Sequence, residues 1–323
     1  MTAMLKDSVT FGEAMVMFIA SRPGALKDID TFSRRLAGAE VNVAIGLSRL
    51  GLSSGWISRL GEDAFGEYIA EYLAREQVDI HGVTYDSRCP TGFQLKSKVH
   101  EGDPQVQYFR KGSAASTLGV ADVDFGYLTG FRHLHMTGIP PALTKSTRAF
   151  AYAALETMKG AGRTVSFDPN LRPSLWSSKE EMREVINDLA CRADWVLPGI
   201  GEGEFLTGSR DPKEIARFYL NRGVSLVAVK LGPEGVYYRT PNEEGIVQGF
   251  KVKKVVDTVG AGDGFATGLI EGLLRGLSIT EAVRQGNAIG SIAVQSEGDH
   301  DGYPTKEELE TYLHNHLTGV RQR

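Results

Sequence analysis

Cysteine is scarce in this chain: there are 2 in 323 residues, Cys89 and Cys191. Neither their number nor their spacing makes a disulfide framework or a zinc site, so the expectation is two reduced thiols in a cytoplasmic protein. No apolar run reaches the length of a membrane span. Lys6, Asp7 and Glu13 interrupt the N-terminal apolar stretches, so no secretory signal is expected there. Basic charge is not in excess either. Lys and Arg number 36 against 40 Asp and Glu, a net charge of -4. That is the wrong balance for a protein whose main partner is nucleic acid. The chain has no repeat, low-complexity tract or Pro/Ser linker. It also lacks a Walker A sequence, and no Gly-x-Gly-x-x-Gly follows the first apolar run, where Gly12-Glu13 stands instead. The second absence argues against a nicotinamide enzyme.

Regular alternation is what the chain does have. From His133 onward, short apolar runs (133–136, 164–167, 195–197, 225–229) are separated by amphipathic stretches (144–159, 179–191, 212–221). With strands expected at 9–11 and 56–60, this predicts an α/β fold: a doubly wound, mostly parallel sheet flanked by helices. One region has a different texture. Residues 92–99 alternate, Gly102-Asp103-Pro104 turns the chain, and residues 105–110 run back. This reads as a hairpin that Met15–Ile19 could join. The expectation is a single domain over 1–323, with a small β-sheet lid from about 13–32 and 90–112 that closes over a ligand. The other reading is an edge extension of the main sheet. His133 and His135 share a strand face with no third ligand in view and read as packing or hydrogen-bonding side chains. Glu180 and Glu181 read as the acidic first turn of a helix.

The segment richest in chemistry is Asp257-Thr258-Val259-Gly260-Ala261-Gly262-Asp263-Gly264. It follows a strand-like stretch, 251–256, and leads into a helix expected over 265–275. Glycines at a helix start let backbone approach an anion, which the free N–H groups and the positive helix end then hold. A resting phosphate would repel Asp263, so that carboxylate needs a reason. One is proton abstraction from an attacking hydroxyl; the other is a helix N-terminal acid favoured by the dipole.

Asp257–Gly264 resembles the C-terminal motif of the ribokinase-like (pfkB) carbohydrate kinases. A second motif of that family is matched by Ala37-Gly38-Ala39-Glu40-Val41-Asn42-Val43-Ala44, with Leu50-Gly51 and Ser58–Gly66 beyond it. The resemblance implies an α/β core with a β-lid, ATP as donor, Mg2+ on the nucleotide phosphates, and a monovalent cation such as K+. It implies that Asp263 is the catalytic base and that Gly260, Ala261 and Gly262 form the anion hole. Gly38 and Asn42 would contact the sugar. Lys230, Gly232 and Gly235 would hold the nucleotide, and Asn287 would lie near the adenine. Where the family has Asn-x-x-Glu, this chain has Gly199-Ile200-Gly201-Glu202, so Glu202, or Glu204 beside it, would organise water around the metal.

Within the family the chain resembles the kinases of 2-dehydro-3-deoxygluconate. Residues 107–115, Asp168-Pro169-Asn170-Leu171-Arg172-Pro173 and 298–305 carry that likeness. Tyr108, Arg110, Arg172 and Asp299 (or Asp301) would contact the sugar, and Asn170 and Arg172 would face ATP. The residue types agree, because a sugar acid presents a carboxylate that an arginine fork answers. Phe93 stands where many members have a tyrosine. The expected partners are a small sugar acid and ATP, not nucleic acid or membrane, with a homo-oligomer formed through the lid. A fructokinase or ribokinase is the alternative within the family; a non-catalytic sugar-binding regulator would have no need of Asp263.

Overall fold

Hydrophobic side chains recur at helical spacing between the strand-like runs, and this decides the layers. In the helix Lys145–Gly160, Phe150, Ala151, Ala154, Leu155 and Met158 are buried while Thr144 caps the first turn, accepting from Thr147 N–H. In Lys179–Arg192 the buried set is Met182, Ile186, Leu189 and Ala190. These faces meet Phe11, Phe131, Phe167 and Val227 from the sheet in one core cluster. Each fully buried side chain of this size contributes about 1.5–3 kcal/mol. A second cluster, with Val43, Leu47, Phe265 and Leu269, covers the other face.

The computed structural model describes residues 5–99 and 104–317. Its strands are β1 (Lys6–Phe11), β2 (Met15–Pro23), β3 (Phe32–Ala37), β4 (Ser54–Gly61), β5 (Asp79–Asp86), β6 (Phe93–Lys98), β7 (Val106–Phe109), β8 (Phe131–Thr137), β9 (Thr164–Asp168), β10 (Trp195–Val196), β11 (Leu226–Lys230), β12 (Val236–Arg239) and β13 (Glu244–Val247). Nine of them form one sheet in the order β13-β12-β11-β10-β9-β8-β1-β4-β5. Its central pairs are parallel; β11–β12 and β12–β13 are antiparallel. This is the doubly wound sheet the alternation predicts.

The other four strands form a separate sheet, β3-β2-β6-β7, and not an edge extension of the large one. β6 and β7 pair antiparallel as the hairpin reading requires, and β2 joins β6 in parallel from Val16 to Ile19. The expected turn residues Gly102 and Asp103 lie outside the described residues. The sheet also has a strand beyond the expected segments, β3, which pairs along β2 and delivers the chain to Gly38. Its sequence, Phe-Ser-Arg-Arg-Leu-Ala, does not alternate, so it carries no strand signal.

Two boundaries differ from expectation. Residues 251–256 form no strand. Val255 and Val256 are exposed, and Val256 N–H reaches the carbonyl of Val294. Three valines in six residues look like a strand, but this segment carries the chain away from the edge strand β13 towards the site. The following helix begins at Ala261, not near Phe265. Its first turn is made of small residues, which leave no hydrophobic period to read.

Candidate functional site

Within the large sheet the strand order reverses at β1, third from one edge, which pairs with β4 on one side and with β8 on the other. Crevices outside the carboxyl ends of strands at such a point are where α/β sheets bind ligands. The loops leaving these ends bring in Glu13 after β1, Asp168, Asn170 and Arg172 at and after β9, Glu202 after β10, and Lys230 at the end of β11. All of them line one cavity of about 370 Å³. The small sheet roofs it with Met15, Gln94, Lys96, Val106, Tyr108 and Arg110. Gln94 and Lys96 alternate on one strand, Tyr108 pairs opposite Gln94, and Arg110 lies two residues on, so all share a face. The floor is Gly38, Glu40 and Asn42, at the start of the helix Ala39–Arg49.

A second cavity of about 380 Å³ adjoins the first. Its walls are mostly glycine and apolar: Gly232, Pro233, Gly235, Val236, Phe250, Val252, Val255, Phe265, Gly286 and Gly290, with Asn287 among them. Lys230, Thr258 and Gly262 line both cavities, so the two meet there.

That junction is the glycine-rich turn. Gly260 caps the helix Ala261–Leu274 with φ of +82°, and a Cβ on it would lie 1.8 Å from the carbonyl oxygen of Asp299. Only glycine fits this approach. Tyr303 donates its hydroxyl to the Gly260 carbonyl at 2.5 Å and fixes the turn from behind. Gly262 is different. A Cβ there would meet only Lys230 Nζ, at 3.6 Å, so nothing in the fold demands a glycine. The space a side chain would enter is the junction itself. The amides of this first helical turn have no intrahelical acceptor.

Asp263 stands at the third position of the helix and faces the first cavity. Burial pushes its carboxyl up to about 7; Asp168, Asp299 and Glu40 add to the rise, and the hydrogen bond from Asn42 Nδ2, 2.8 Å, opposes it. Burial likewise raises Glu40 to about 7, against a hydrogen bond from Thr137. It raises Asp299 to about 6, against Lys96. Lys230 pairs with Asp168 at 2.5 Å; burial lowers its pKa, but Asp168 and Glu202 outweigh this and the net shift is upward. Glu202 accepts from the amides of Leu171 (2.8 Å) and Gly199 (2.7 Å), and burial with Asp168 nearby raises it. The site is thus a group of carboxylates held apart by a few cations, three of them poised to titrate near neutrality. Such clusters mark functional sites.

The structure brings Gly38, Asn42, Tyr108, Arg110, Asn170, Arg172, Lys230, Gly260, Gly262, Asp263, Asp299 and Glu202 to the first cavity. Gly232, Gly235, Ala261 and Asn287 lie on the second, with Lys230 and Gly262 common to both. Asn170 and Arg172 touch only the first. Asn287 donates to the carbonyls of Val247 and Gln248. Two open alternatives separate by position. Glu204 is exposed and paired with Arg210, whereas Glu202 faces the cavity. Asp301 pairs with Arg35, whereas Asp299 is buried against the cavity and its Oδ1 has no hydrogen-bond partner. The Arg110 fork is partly taken: Nε and Nη2 both face Glu13 Oε2, at 2.6 and 2.5 Å, and Ser113 donates to the other oxygen. Sequence reading missed Glu13, Gln94 and Lys96. Lys96 is a buried cation that reaches from the roof to Asp257 and lies 3.9 Å from Asp299. Glu13 stands two residues past a strand end, where ligands bind, and that position was its only signal.

Comparison with known proteins bears directly on this arrangement. The family described as pfkB family carbohydrate kinase matches residues 5–306. The 2-dehydro-3-deoxygluconokinase of Bacillus subtilis (strain 168) is 54% identical over 308 residues, 95% of each chain. Among solved structures, a PfkB protein from Polaromonas sp. JS666 is 52% identical with a TM-score of 0.88, covering 94% of this chain and 99% of that one. A putative ribokinase II from E. coli, solved in complex with ATP and Mg2+, is 29% identical with a TM-score of 0.88, covering 97% of this chain and 100% of the other.

Proposed function

The chain belongs to the pfkB family of carbohydrate kinases, and from that premise we propose that it phosphorylates the C6 hydroxyl of 2-dehydro-3-deoxy-D-gluconate with ATP. The observation that carries this reading is the meeting of two cavities at Gly262 and Lys230, with Asp263 in the wall of the first. The glycine-lined cavity takes ATP, with its γ-phosphate at the junction. The charged cavity takes the sugar, with the carboxylate towards Arg110, Tyr108 and Arg172 and C6 towards Asp263.

Asp263 accepts the hydroxyl proton as the sugar oxygen bonds to Pγ. The bond from Pγ to the β-phosphate oxygen breaks and ADP leaves. The amides of Ala261 and Gly262, with the helix dipole behind them, hold the charge on the transferring group. Lys230 adds a fixed cation at the same place. Roofing by the small sheet excludes water that would otherwise compete for the phosphoryl group.

Magnesium fits this donor set in one way. Among the described residues no group of three or more His, Cys, Asp or Glu side chains could hold a metal ion. Glu202 and Asp168 are hard oxygen donors near the junction, so they would hold the ion through water while nucleotide phosphates supply the direct ligands. When bound, the ion neutralises phosphate charge. Glu202→Gln should raise the Mg2+ concentration for half-maximal rate about tenfold; a titration at saturating ATP checks this, and an unchanged midpoint refutes the role.

Gly262→Ala should fold normally, since the added methyl meets no backbone. It should lower kcat about tenfold while the KM for sugar stays within twofold, because the methyl crowds only the transferring group. Equal loss in both constants with a lowered Tm would mean misfolding instead. The overall reading is tested by coupled ADP release over a panel of sugar acids and neutral sugars. The highest kcat/KM is expected for 2-dehydro-3-deoxygluconate; a preference for fructose or ribose would leave only the broader kinase assignment.

A further inference from the structure

Behind Asp263 runs a line of side chains that leads away from both cavities. Asn42 Nδ2 donates to Asp263 Oδ2 at 2.8 Å, and Asn42 Oδ1 lies 2.9 Å from Nδ1 of His300. The far ring nitrogen, Nε2, lies 3.1 Å from the hydroxyl of Tyr72, on the helix Ala64–Arg75. Asn42 and His300 are each 1% exposed. His300 lines neither cavity, so ligand contact does not account for it.

The chemistry of the line assigns each member a role, although the Asn42 side chain also hydrogen-bonds the Asp299 carboxylate. An ionised Asp263 only accepts, so the Asn42 amide must turn its NH2 towards it. The carbonyl oxygen of that amide then needs a donor, which only an Nδ1–H imidazole supplies. Burial, with Arg49 nearby, holds His300 far below its ordinary pKa, at about 3, so the ring is neutral with one N–H and one lone pair. The lone pair on Nε2 is in turn filled by the Tyr72 hydroxyl. Without the imidazole, the Asn42 amide could rotate and put its oxygen against the carboxylate.

We propose that His300 is a positioning residue: through the Asn42 amide it holds the Asp263 carboxylate in the orientation that takes the proton from the sugar hydroxyl. This rests on the reading of Asp263 as the base. His300 lines neither cavity; its neighbour Asp299 does, so an effect that vanishes when Asn42 is removed is what separates this role from a structural one.

The test is a double-mutant cycle in the ATP-coupled assay, run with whichever sugar the wild type phosphorylates. His300→Leu should lower kcat about tenfold, the worth of one buried hydrogen bond, with the KM for ATP unchanged. In an Asn42→Ala background the same change should cost less than twofold, since the path to Asp263 is already cut. His300→Asn, which places an N–H donor near the position of Nδ1, should recover most of the loss. Tyr72→Phe should lower kcat about twofold to threefold with little change in Tm. Equal fractional losses in both backgrounds, or a loss that follows Tm and is not recovered by His300→Asn, would overturn the proposal. Should His300→Leu fail to fold, Tyr72→Phe and His300→Asn close the cycle with Asn42→Ala under the same criteria. No phosphoryl transfer by the wild type would remove Asp263 as a kinase base and this inference with it; an active wild type with silent variants removes this inference alone.

Discussion

Asp263→Asn should fold like the wild type and bind ATP, yet turn over about a hundredfold to ten-thousandfold more slowly, the range general-base catalysis supplies. The amide keeps the shape and the contact with Asn42 but cannot accept the proton. The pH dependence follows from the environment. The base must be ionised, and burial with Asp168, Asp299 and Glu40 nearby has pushed it up to about 7. So kcat/KM of the wild type should fall as pH drops through about 7. Glu40 and Asp299 titrate in the same cavity, at about 7 and about 6, so the limb belongs to the group as a whole. The stability effect has the opposite sense from that of a salt-bridged carboxylate. With its folded pKa raised above the unfolded value, Asp263 favours the folded state at low pH, and that contribution is lost as pH rises from the unfolded value through about 7. Asp263→Asn should therefore leave Tm at pH 8 unchanged or higher. Near-normal turnover at pH 8 would remove Asp263 from the role of base.

Much of this site is legible in the sequence because its chemistry sits in short contiguous motifs. Gly260, Gly262 and Asp263 lie within four residues, and helix-start geometry fixes what such a turn can hold. The parallel sheet is legible for a similar reason: many of its strands are short apolar runs, and helices such as Lys145–Gly160 and Lys179–Arg192 bury one stripe each. What escapes is whatever tertiary contact alone defines. Lys96 looks like a surface lysine on a lid strand, and only the seating of the small sheet over the large one brings it to Asp257 and Asp299. Glu13 gives no sign that it will face Arg110, 97 residues away. β3 is formed by its partner β2 and not by its own pattern. The start of the helix at Ala261 is hidden because capping by glycine leaves no hydrophobic mark.

Arg110→Ala should weaken 2-dehydro-3-deoxygluconate by about 2–4 kcal/mol, since a charge-assisted contact is lost and a desolvated carboxylate is left unpaired. The pairing with Glu13 makes the reading of that number less direct. Glu13 is buried and its carboxylate meets the Arg110 fork. Removing the arginine strands Glu13 as well as the substrate acid, and an uncompensated carboxylate in the roof would disturb any sugar. The two contributions separate in the double variant Glu13→Gln/Arg110→Ala, which has no stranded protein charge. Neutral sugars should then be bound as in the wild type, while the sugar acid stays weak. Arg110→Lys should recover only part for the acid, because an ammonium cannot face Glu13 and a substrate carboxylate with the planar fork that arginine offers. The measurement is kcat/KM for the sugar acid and for one neutral sugar across the wild type and the three variants. If the double variant restores acid and neutral sugars alike, Arg110 serves only to neutralise Glu13, and Arg172 becomes the candidate that reads the substrate's acid end.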